Sequence, residues 1–364
     1  MAFKEIEVNM GPQHPSTHGV LRIKLAADNE VILRSEPVIG YLHRGIEKLC
    51  EHRTYAQITP LTDRLDYLGA GLNNFAWVLA VEKLMGLEVP KRAQYLRVIL
   101  AELQRVASHL AWVGFNANDI GAMSVLLYGF LERENVLEIF EEWVGGRLTV
   151  HAMRIGGVPS DMTPELDGMI RQLLKTVPER LADIEALLTG NRIWRHRTVG
   201  VGTIPADEAI AMGLTGPALR AAGVPWDLRK NIPYSSYDDF DFDIAQGKNS
   251  DVYDRYLVRL FEIRQSLRIL RQALDGLPEG DFRAKVPKVL RIPAGEVFHS
   301  IEAAKGELGF YIRSDGSDKP ARVKIKSPCF LNLQSLPRMC HGNLIADVVA
   351  ILGSLDVVLG EIDK

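Results

Sequence analysis

The segment LRVILAELQRVASHLAWV, residues 96–113, repeats apolar side chains at steps of three and four residues. This spacing places them on one face of an α-helix. The members of the face are Leu96, Ile99, Leu103, Val106, Leu110 and Val113. Because Pro90 precedes the pattern, and proline is tolerated at a helix start but not inside a helix, the segment predicts one helix that begins after Pro90. Helical spacing then dominates from about residue 60 to about residue 275.

Two further segments show the same spacing. The first opens at Thr163-Pro164-Glu165, a typical helix start, and ends at Gly190. The second extends from Tyr253 to Leu274, and its other face is charged. The charged positions are Arg259, Glu262, Arg264, Arg268 and Arg271. We interpret this face as a solvated helix surface, with a protein-interaction face as the alternative.

Both ends of the chain show strand patterns. Apolar and polar residues alternate over Val20–Leu25 and Val31–Leu33 around an Asp28–Asn29 corner, which predicts a hairpin. Alternation returns over residues 296–326, and a last helix is predicted over about 341–359. The sequence therefore predicts an α+β fold in three parts. They are a β-rich part over 1–60, a central helical domain over 61–280 and an α+β part over 281–364.

The stretch 191–250 lacks a clear period and is rich in Gly, Pro, Asp and Tyr. Because a compact protein seldom contains so long an irregular segment without a purpose, we expect it to cover something, and to pack on other subunits if the chain has partners.

Composition excludes several classes of protein. The chain is 47% hydrophobic and 24% charged with a formal charge of −3, so no basic field indicates a nucleic-acid partner. Its three cysteines are too few for a disulfide scaffold and fit a reducing compartment. The most apolar stretch, near the C-terminus, is interrupted by Asp347 and Asp356, and this argues against a membrane span.

Common catalytic and metal motifs are also missing. No CxxC pair occurs, and neither does a Walker GxxxxGK[ST] or a GxSxG motif. Gly200-Val-Gly202 lacks the third glycine of a dinucleotide fingerprint. His14 and His18 are four residues apart, a zinc spacing on a helix, but Pro15 favours a loop. We therefore expect the chain to hold no metal of its own.

Two segments concentrate polar and conformationally special residues. The first is GPQHPSTHG, residues 11–19; the second extends from GYLHRGIEKL, 40–49, through PLTDRLDY, 60–67. Together with RIGGVPSDM (154–162) and ADVVAILGSLDVVLGEIDK (346–364), they resemble the D subunit of bacterial respiratory complex I, also called the 49-kDa-type subunit. Complex I is the proton-pumping NADH:quinone oxidoreductase, and the resemblance covers essentially the whole chain.

This family is in turn similar to the large subunit of nickel–iron hydrogenases, which implies a central helical bundle. The hydrogenase metals need two CxxC motifs, and here the region around DRLDY and the segment Ser327–Asn332 stand in their place. Cys329 is the thiol that survives, so no nickel–iron centre is expected. By the resemblance, the vacated cavity binds the quinone headgroup.

The resemblance also implies roles for individual residues. His18 and Tyr67 match the family's headgroup ligands, and Asp119 matches the acidic partner of that histidine. A histidine and a tyrosine can each hydrogen-bond a quinone carbonyl and donate a proton to the reduced form. A carboxylate beside His18 would raise the pKa of its imidazole.

Three more residues match positions near the terminal [4Fe–4S] cluster, which a neighbouring subunit carries. Arg44 and Arg64 match arginines there. His151 lies in the stretch where the family often has a titrating histidine.

The implied partners are the [4Fe–4S]-carrying small subunit, the C subunit and the quinone-channel membrane subunit. With them, the chain would lie on the cytoplasmic side of the bacterial inner membrane as a peripheral protein, with quinone as substrate. The alternative is the equivalent subunit of a ferredoxin- or deazaflavin-dependent complex I-like quinone reductase. A membrane-bound hydrogenase is disfavoured by the missing CxxC pairs, and a pure scaffold by the retained His18, Tyr67 and Asp119.

Overall fold

The computed structural model describes residues 5–13 and 19–364 of the chain. His14 and His18 lie outside the described residues. The strands are β1 (Glu5–Met10), β2 (Arg22–Asp28), β3 (Val31–Val38), β4 (Gly295–Ala303), β5 (Gly306–Ser314) and β6 (Pro320–Lys326). The longer helices are α3 (Ala70–Met85), α4 (Lys91–Asp119), α5 (Met123–Val144), α6 (Pro164–Leu188) and α11 (Val252–Asp275).

The shorter helices flank this bundle. Two precede it, α1 (Ile46–Cys50) and α2 (Tyr55–Thr62). Four lie between α6 and α11, namely α7 (Arg192–Thr198), α8 (Ala206–Ala211), α9 (Gly216–Ala221) and α10 (Leu228–Asn231). Four follow the last strand, namely α12 (Pro328–Leu333), α13 (Leu336–Cys340), α14 (Asp347–Leu355) and α15 (Leu359–Ile362). The predicted α+β class, with a helical centre and β-containing ends, is confirmed.

The predicted helix after Pro90 is confirmed as α4, the centre of the bundle. It packs against α3, α5, α11 and α14, and so is covered on most sides. The polar residues between its apolar positions are therefore buried as well, Glu102, Arg105 and His109 among them. The helix after Thr163 is also confirmed, because the Thr163 hydroxyl accepts the Leu166 N–H at 3.2 Å and α6 ends at Leu188.

The third predicted helix is confirmed as α11, but our interpretation of its charged face is only partly right. Arg264 and Arg268 are exposed, whereas Arg259 and Glu262 are 1% and 2% exposed. The reason is that α11 contacts α4 on one side and α9 and α14 on others, so two of its charged positions point into the protein.

Each sheet has three antiparallel strands, in the orders β1-β2-β3 and β4-β5-β6. The predicted hairpin is β2–β3, and Asn29 makes its corner with a φ of 54°. The predicted turn at Lys305–Gly306 joins β4 to β5. Lys305 is only 1% exposed, so this turn carries a cation into the interior.

The stretch 191–250 contains four short helices and covers the chain's own core. Trp194, Tyr237 and Phe242 are buried in it, and the Tyr237 hydroxyl donates to Glu102 of α4 at 2.6 Å. The segment 191–250, which we expected to be a covering segment, therefore covers the helical bundle.

The prediction of a single helix over 341–359 is wrong. The chain instead forms α14, breaks at Asp356 and resumes as α15. Asp356 has a φ of 55°, in the left-handed region, which interrupts helical hydrogen bonding. The break turns the Asp356 carboxylate towards Lys305, whose Nζ lies 3.6 Å from its Oδ2.

Two large hydrophobic clusters and a small one of Ala221, Ala245 and Val258 form the core of the described residues. The largest lies within the helical bundle and reaches the second sheet. The second joins β2 and β3 to α12–α15. The division into parts 1–60, 61–280 and 281–364 stays a prediction. No helix within residues 5–13 and 19–364 is long and apolar enough to cross a bilayer.

Candidate functional site

A cavity of about 360 Å³ opens where the C-terminal end of α4 and the first half of α5 meet the link between α14 and α15. Its apolar lining is Leu68, Trp112, Phe115, Phe130, Leu148, Val357 and Val358. Its polar lining is Tyr67, Asn116, Asp119, Arg133 and Asp356. The cavity therefore offers a mostly apolar wall with a few polar groups, as small-molecule sites do.

Tyr67 owes its position to the residue before it. Asp66 caps a 3-10 turn over Tyr67–Gly69, and its carboxylate accepts the Leu68 N–H at 3.0 Å. The same carboxylate lies 3.0 Å from the Lys305 Nζ, which fixes the turn to the β4–β5 corner. Tyr67 itself remains 45% exposed at the cavity. Burial and the charge of Asp66 raise the pKa of its hydroxyl, so Tyr67 is protonated at neutral pH.

Asp119 reaches the cavity because it is the last residue of α4. The Trp112 indole, almost two turns earlier, donates to the Gly353 carbonyl at 2.7 Å and ties α4 to α14. A Cβ at Gly353 would lie 2.8 Å from the Asn116 Oδ1, so a larger residue there would displace the Asn116 side chain at the cavity. The structure thus places Asp119 and Tyr67 on one cavity.

The third predicted headgroup residue, His18, lies outside the described residues, and its role stays a prediction. The described ends of its loop are close together, because the Gln13 N–H donates to the Gly19 carbonyl at 2.7 Å. The possible zinc pair of His14 and His18 lies outside the described residues too.

Several polar atoms of the cavity-lining residues lack a hydrogen-bond partner among the described residues. They are Nδ2 and Oδ1 of Asn116, Nε of Arg133 and Oδ2 of Asp356. All three side chains are buried, at 2%, 8% and 4% exposure. Because buried polar groups in native proteins are nearly always hydrogen-bonded, these atoms indicate a site for water or for a polar ligand.

Lys305 is the charged centre beneath the cavity. Its Nζ lies 3.0 Å from Asp66 and 3.6 Å from Asp356, and it is 3.3 Å from the Ser108 hydroxyl. Burial by itself would lower the pKa of Lys305, but Asp356 and Asp66 together raise it above its ordinary value. Lys305 therefore stays charged and holds both carboxylates in place.

Of the three residues predicted to lie near a neighbouring cluster, Arg64 and His151 approach Asp63, and Arg44 joins them through Arg64. The Arg44 guanidinium donates to the Arg64 carbonyl at 2.6 Å. Both Arg64 and His151 approach the Asp63 carboxylate, at 3.8 Å and 3.2 Å. Arg44 and Arg64 are exposed, whereas Asp63 is completely buried.

Burial changes the protonation of this second group. It raises the pKa of Asp63 to about 7, despite a hydrogen bond from Asn74. Burial also lowers the pKa of His151, with help from the positive charges of Arg154 and Arg64. The group therefore presents two arginine charges beside a carboxyl whose pKa is about 7 and a histidine whose pKa lies below its ordinary value. The roles of Arg44, Arg64 and His151 towards a cluster stay predictions.

Sequence reasoning missed four residues of the cavity region, namely Asn116, Arg133, Lys305 and Asp356. Asp356 left a signal, because it interrupts an otherwise apolar stretch. Asn116 lies one turn before Asp119 on α4, which spacing could have shown. Arg133 and Lys305 come from elements distant in sequence, and no local pattern marks them.

The cysteines are separate and buried. Cys329 accepts the Val358 N–H at 3.4 Å, and its own N–H donates to Glu361 at 3.3 Å. Cys50 and Cys340 are free and buried as well. Within residues 5–13 and 19–364, no group of three or more His, Cys, Asp or Glu side chains is arranged to hold a metal ion.

Comparison with known proteins identifies the family of the chain. The sequence profile described as respiratory-chain NADH dehydrogenase, 49 Kd subunit, matches residues 119–291 and 286–364. A relative in Solibacter usitatus, named as the second D subunit of NADH-quinone oxidoreductase, is 54% identical over 360 residues. The match covers 99% of this chain and 97% of the relative.

Two other relatives are named as the D subunit of NADH-quinone oxidoreductase. The protein of Geotalea uraniireducens is 51% identical over 390 residues, covering 100% of both chains. That of Dehalococcoides mccartyi is 55% identical over 358 residues, covering 98% of both. The chain therefore belongs to the family of the 49-kDa subunit, or D subunit, of respiratory-chain NADH dehydrogenases.

Proposed function

We propose that this chain forms the quinone-binding cavity of complex I together with the neighbouring [4Fe–4S] subunit, and that electron transfer to quinone there is coupled to proton translocation. As a family member, the chain is a subunit of an enzyme that catalyses NADH:quinone oxidoreduction. The observation that carries the proposal is the shared cavity of Tyr67 and Asp119. The relatives' names specify NADH, so the ferredoxin- and deazaflavin-dependent alternatives gain no support.

The cavity suits a quinone headgroup in shape and chemistry. Its walls include Phe115, Phe130 and Val358, which can cover the faces of a flat apolar ring. A quinone presents two carbonyl oxygens as hydrogen-bond acceptors. Tyr67 offers one donor, and the Asn116 amide, which has no hydrogen-bond partner among the described residues, offers another in the same cavity.

Reduction adds two electrons and makes the quinone oxygens strongly basic. A negative charge in a poorly hydrated cavity is costly unless protons follow. In the proposed mechanism, the Tyr67 hydroxyl donates a proton to one oxygen and His18 donates to the other. Asp119 is then left without the cationic partner that His18 provided, and this change of charge is the signal towards the membrane arm.

The electrons would arrive on the side of Arg44 and Arg64. Both guanidinium groups are exposed, and that of Arg44 contacts the Arg64 carbonyl. Positive charge beside a [4Fe–4S] cluster stabilises its reduced form and raises its potential. This arrangement supports contact with the cluster-carrying subunit at this face.

Other complex I subunits are the partners that family membership implies. We further propose the small [4Fe–4S] subunit, the C subunit and the quinone-channel membrane subunit as direct partners. The complex would hold the chain as a peripheral protein on the cytoplasmic side of the inner membrane.

The test is the Tyr67→Phe variant in the assembled complex, which removes the hydroxyl and keeps the ring. Proton donation contributes about 10²-fold or more to such reactions, so turnover with a short-chain quinone should fall by about that factor. Electron transfer to a hydrophilic acceptor that bypasses the cavity should not change. Tyr311→Phe is the matched control, because its hydroxyl bonds Glu296 on the exposed side of β4 and β5.

His18→Ala is measured beside it. If both variants reduce quinone at the wild-type rate in an intact complex, the donor assignment is wrong. If the bypass reaction falls in parallel with quinone reduction, the variants have impaired assembly, and chain content per complex then identifies the defect.

A further inference from the structure

Asp356 is a buried carboxylate that the proposed mechanism does not use. It lines the same cavity as Tyr67 and is 4% exposed. Its Oδ2 accepts no hydrogen bond from the described residues. Two cations lie beyond hydrogen-bond range of that oxygen, the Lys305 Nζ at 3.6 Å and the Arg259 Nε at 4.0 Å.

The backbone is bent to bring this carboxylate to the cavity. Asp356 ends α14 with a φ of 55°, a conformation that L residues other than Asn and Asp seldom adopt. The next two residues, Val357 and Val358, also line the cavity. The break therefore brings an acidic group to the cavity from the C-terminal end of α14.

The cations around Asp356 are themselves fixed. The Arg259 guanidinium lies 4.0 Å from the centre of the Trp112 ring and is 1% exposed. Lys305 is held by Asp66, the residue before Tyr67. Both protonation states of Asp356 are therefore stabilised. Burial favours the protonated acid, and the two cations favour the carboxylate.

We propose that Asp356 is a proton-supplying residue that acts through Tyr67, returning a proton to this tyrosine after Tyr67 has protonated the quinone. The inference rests on the proposed quinone site and deepens it. In the step, the O–H bond of the Asp356 carboxyl breaks and the phenol O–H bond of Tyr67 forms. The electron pair stays on the carboxylate, which Lys305 and Arg259 stabilise, and no redox partner is needed.

The protonation of Asp356 depends on groups from every element around it. Burial raises its pKa above the usual value, while Lys305 and Arg259 oppose this and Asp66 adds to it. The groups that surround it are Lys305 from the β4–β5 turn, Arg259 from α11, Asp66 and Tyr67 from the 3-10 turn, Asp119 from α4, Arg133 from α5 and Cys329 from α12.

The experiment compares Asp356→Asn and Asp356→Glu in the assembled complex, with a short-chain quinone, across a pH series. Asn tolerates the left-handed conformation as Asp does, so the backbone break is preserved. Asp347→Asn is the matched control, because Asp347 begins the same helix and pairs with Arg197 outside the cavity.

We expect Asp356→Asn to lower turnover by about tenfold or more at acidic pH, where the wild-type carboxyl holds its proton. The difference should shrink as pH rises and the wild-type carboxyl ionises. Asp356→Glu should retain turnover within about threefold and remain pH-dependent, with the midpoint of its pH profile shifted from that of the wild type. The KM for quinone and the bypass reaction should stay at wild-type values in each variant.

A loss by the same factor at every pH would assign Asp356 a structural role and overturn the inference. So would a Glu variant as slow as the Asn variant. If Asp356→Asn does not assemble, the Glu variant decides, since a displaced acid must shift the midpoint of the pH profile and an unmoved midpoint contradicts the inference. Normal turnover in Asp356→Asn beside a slow Tyr67→Phe would refute this inference and leave the proposed function intact.

Discussion

The buried ionic core and the cavity wall both hold charged groups away from water, but these groups have different partners in the two regions. We define the ionic core as Glu102, Arg105, His109, Arg220, Asp227, Arg229, Glu262 and Glu302, which α4, α9–α11 and β4 bring together. Arg220 lies 2.7 Å from both Glu262 and Glu302. Tyr237 and Ser266 each donate to Glu102 at 2.6 Å.

In the cavity wall, by contrast, Asn116 has neither amide atom paired among the described residues, and the Asp356 carboxylate lies 3.6 Å from its nearest cation. Every member of the ionic core has a charged or ionisable partner within 3.2 Å. Three atoms of the ionic core, Arg105 Nη1, His109 Nδ1 and Arg220 Nη2, also lack a hydrogen-bond partner among the described residues, but these residues do not line the cavity. Charges that pair with one another inside the chain form a structural element, whereas unpaired polar atoms that also line a cavity indicate a ligand. Buried charge alone therefore does not identify a functional site. The substitutions and the pH change below should affect the ionic core and the cavity wall differently.

The largest effect is expected from Arg220→Leu. The change leaves Glu262 and Glu302 without their shared cation, and breaking a buried pair in this way costs about 3–5 kcal/mol. Amide exchange in α11 should lose about 10²- to 10⁴-fold of its protection, and the yield of assembled complex should fall.

Arg268→Leu is the matched control, because Arg268 belongs to α11 and pairs with Asp243 at 3.0 Å on the exposed surface. Such a surface pair contributes about 0–1 kcal/mol, so exchange in α11 should hardly change. Equal losses in the two variants would contradict the distinction between core and surface charge.

A smaller effect is expected from acid acting on the ionic core. Burial lowers the pKa of His109 to about 4, although Glu262 opposes this. The unfolded chain takes up the proton near pH 6.5, so His109 supports folding above that pH. Its contribution is lost as the pH falls from 6.5 towards 4, by roughly 3 kcal/mol in full.

His109→Gln provides the measurement, because glutamine retains a donor for Glu262 and does not titrate. The difference in α4 exchange protection between pH 7 and pH 5, corrected for intrinsic exchange, should be smaller in the variant than in the wild type. An identical acid loss in both proteins would mean that other groups govern the acid sensitivity of the core.

The smallest effect on stability is expected from Asn116→Leu in the cavity wall. Both amide atoms lack partners among the described residues, so replacing them with an apolar side chain of similar size should change stability by less than about 1 kcal/mol. The KM for quinone should nevertheless rise several-fold, since the amide would no longer meet a carbonyl. A destabilised core with an unchanged KM would place Asn116 among the structural residues.

Local sequence patterns predicted the helices and strands that short-range features of the chain determine. The spacing of Leu96–Val113 identified α4, and Thr163 with Pro164 identified the start of α6. The Asp28–Asn29 corner identified the β2–β3 hairpin. The prediction of one last helix was wrong because Val348–Leu359 is apolar enough to suggest a continuous helix. The break at Asp356 is instead associated with tertiary contacts to α11 and the β4–β5 turn.

The sequence by itself determined the α+β class, the helices α4, α6 and α11, the hairpin and the family, with Tyr67 and Asp119 as candidate groups. Periodicity and turn chemistry act over a few residues, so they can be recognised without a fold. Only the tertiary structure decided which charges are buried, because a helix face is solvated or enclosed according to its neighbours. It enclosed Arg259 and Glu262 against α4, α9 and α14, and it brought Lys305 and Asp356 beside Tyr67 from elements far apart in sequence.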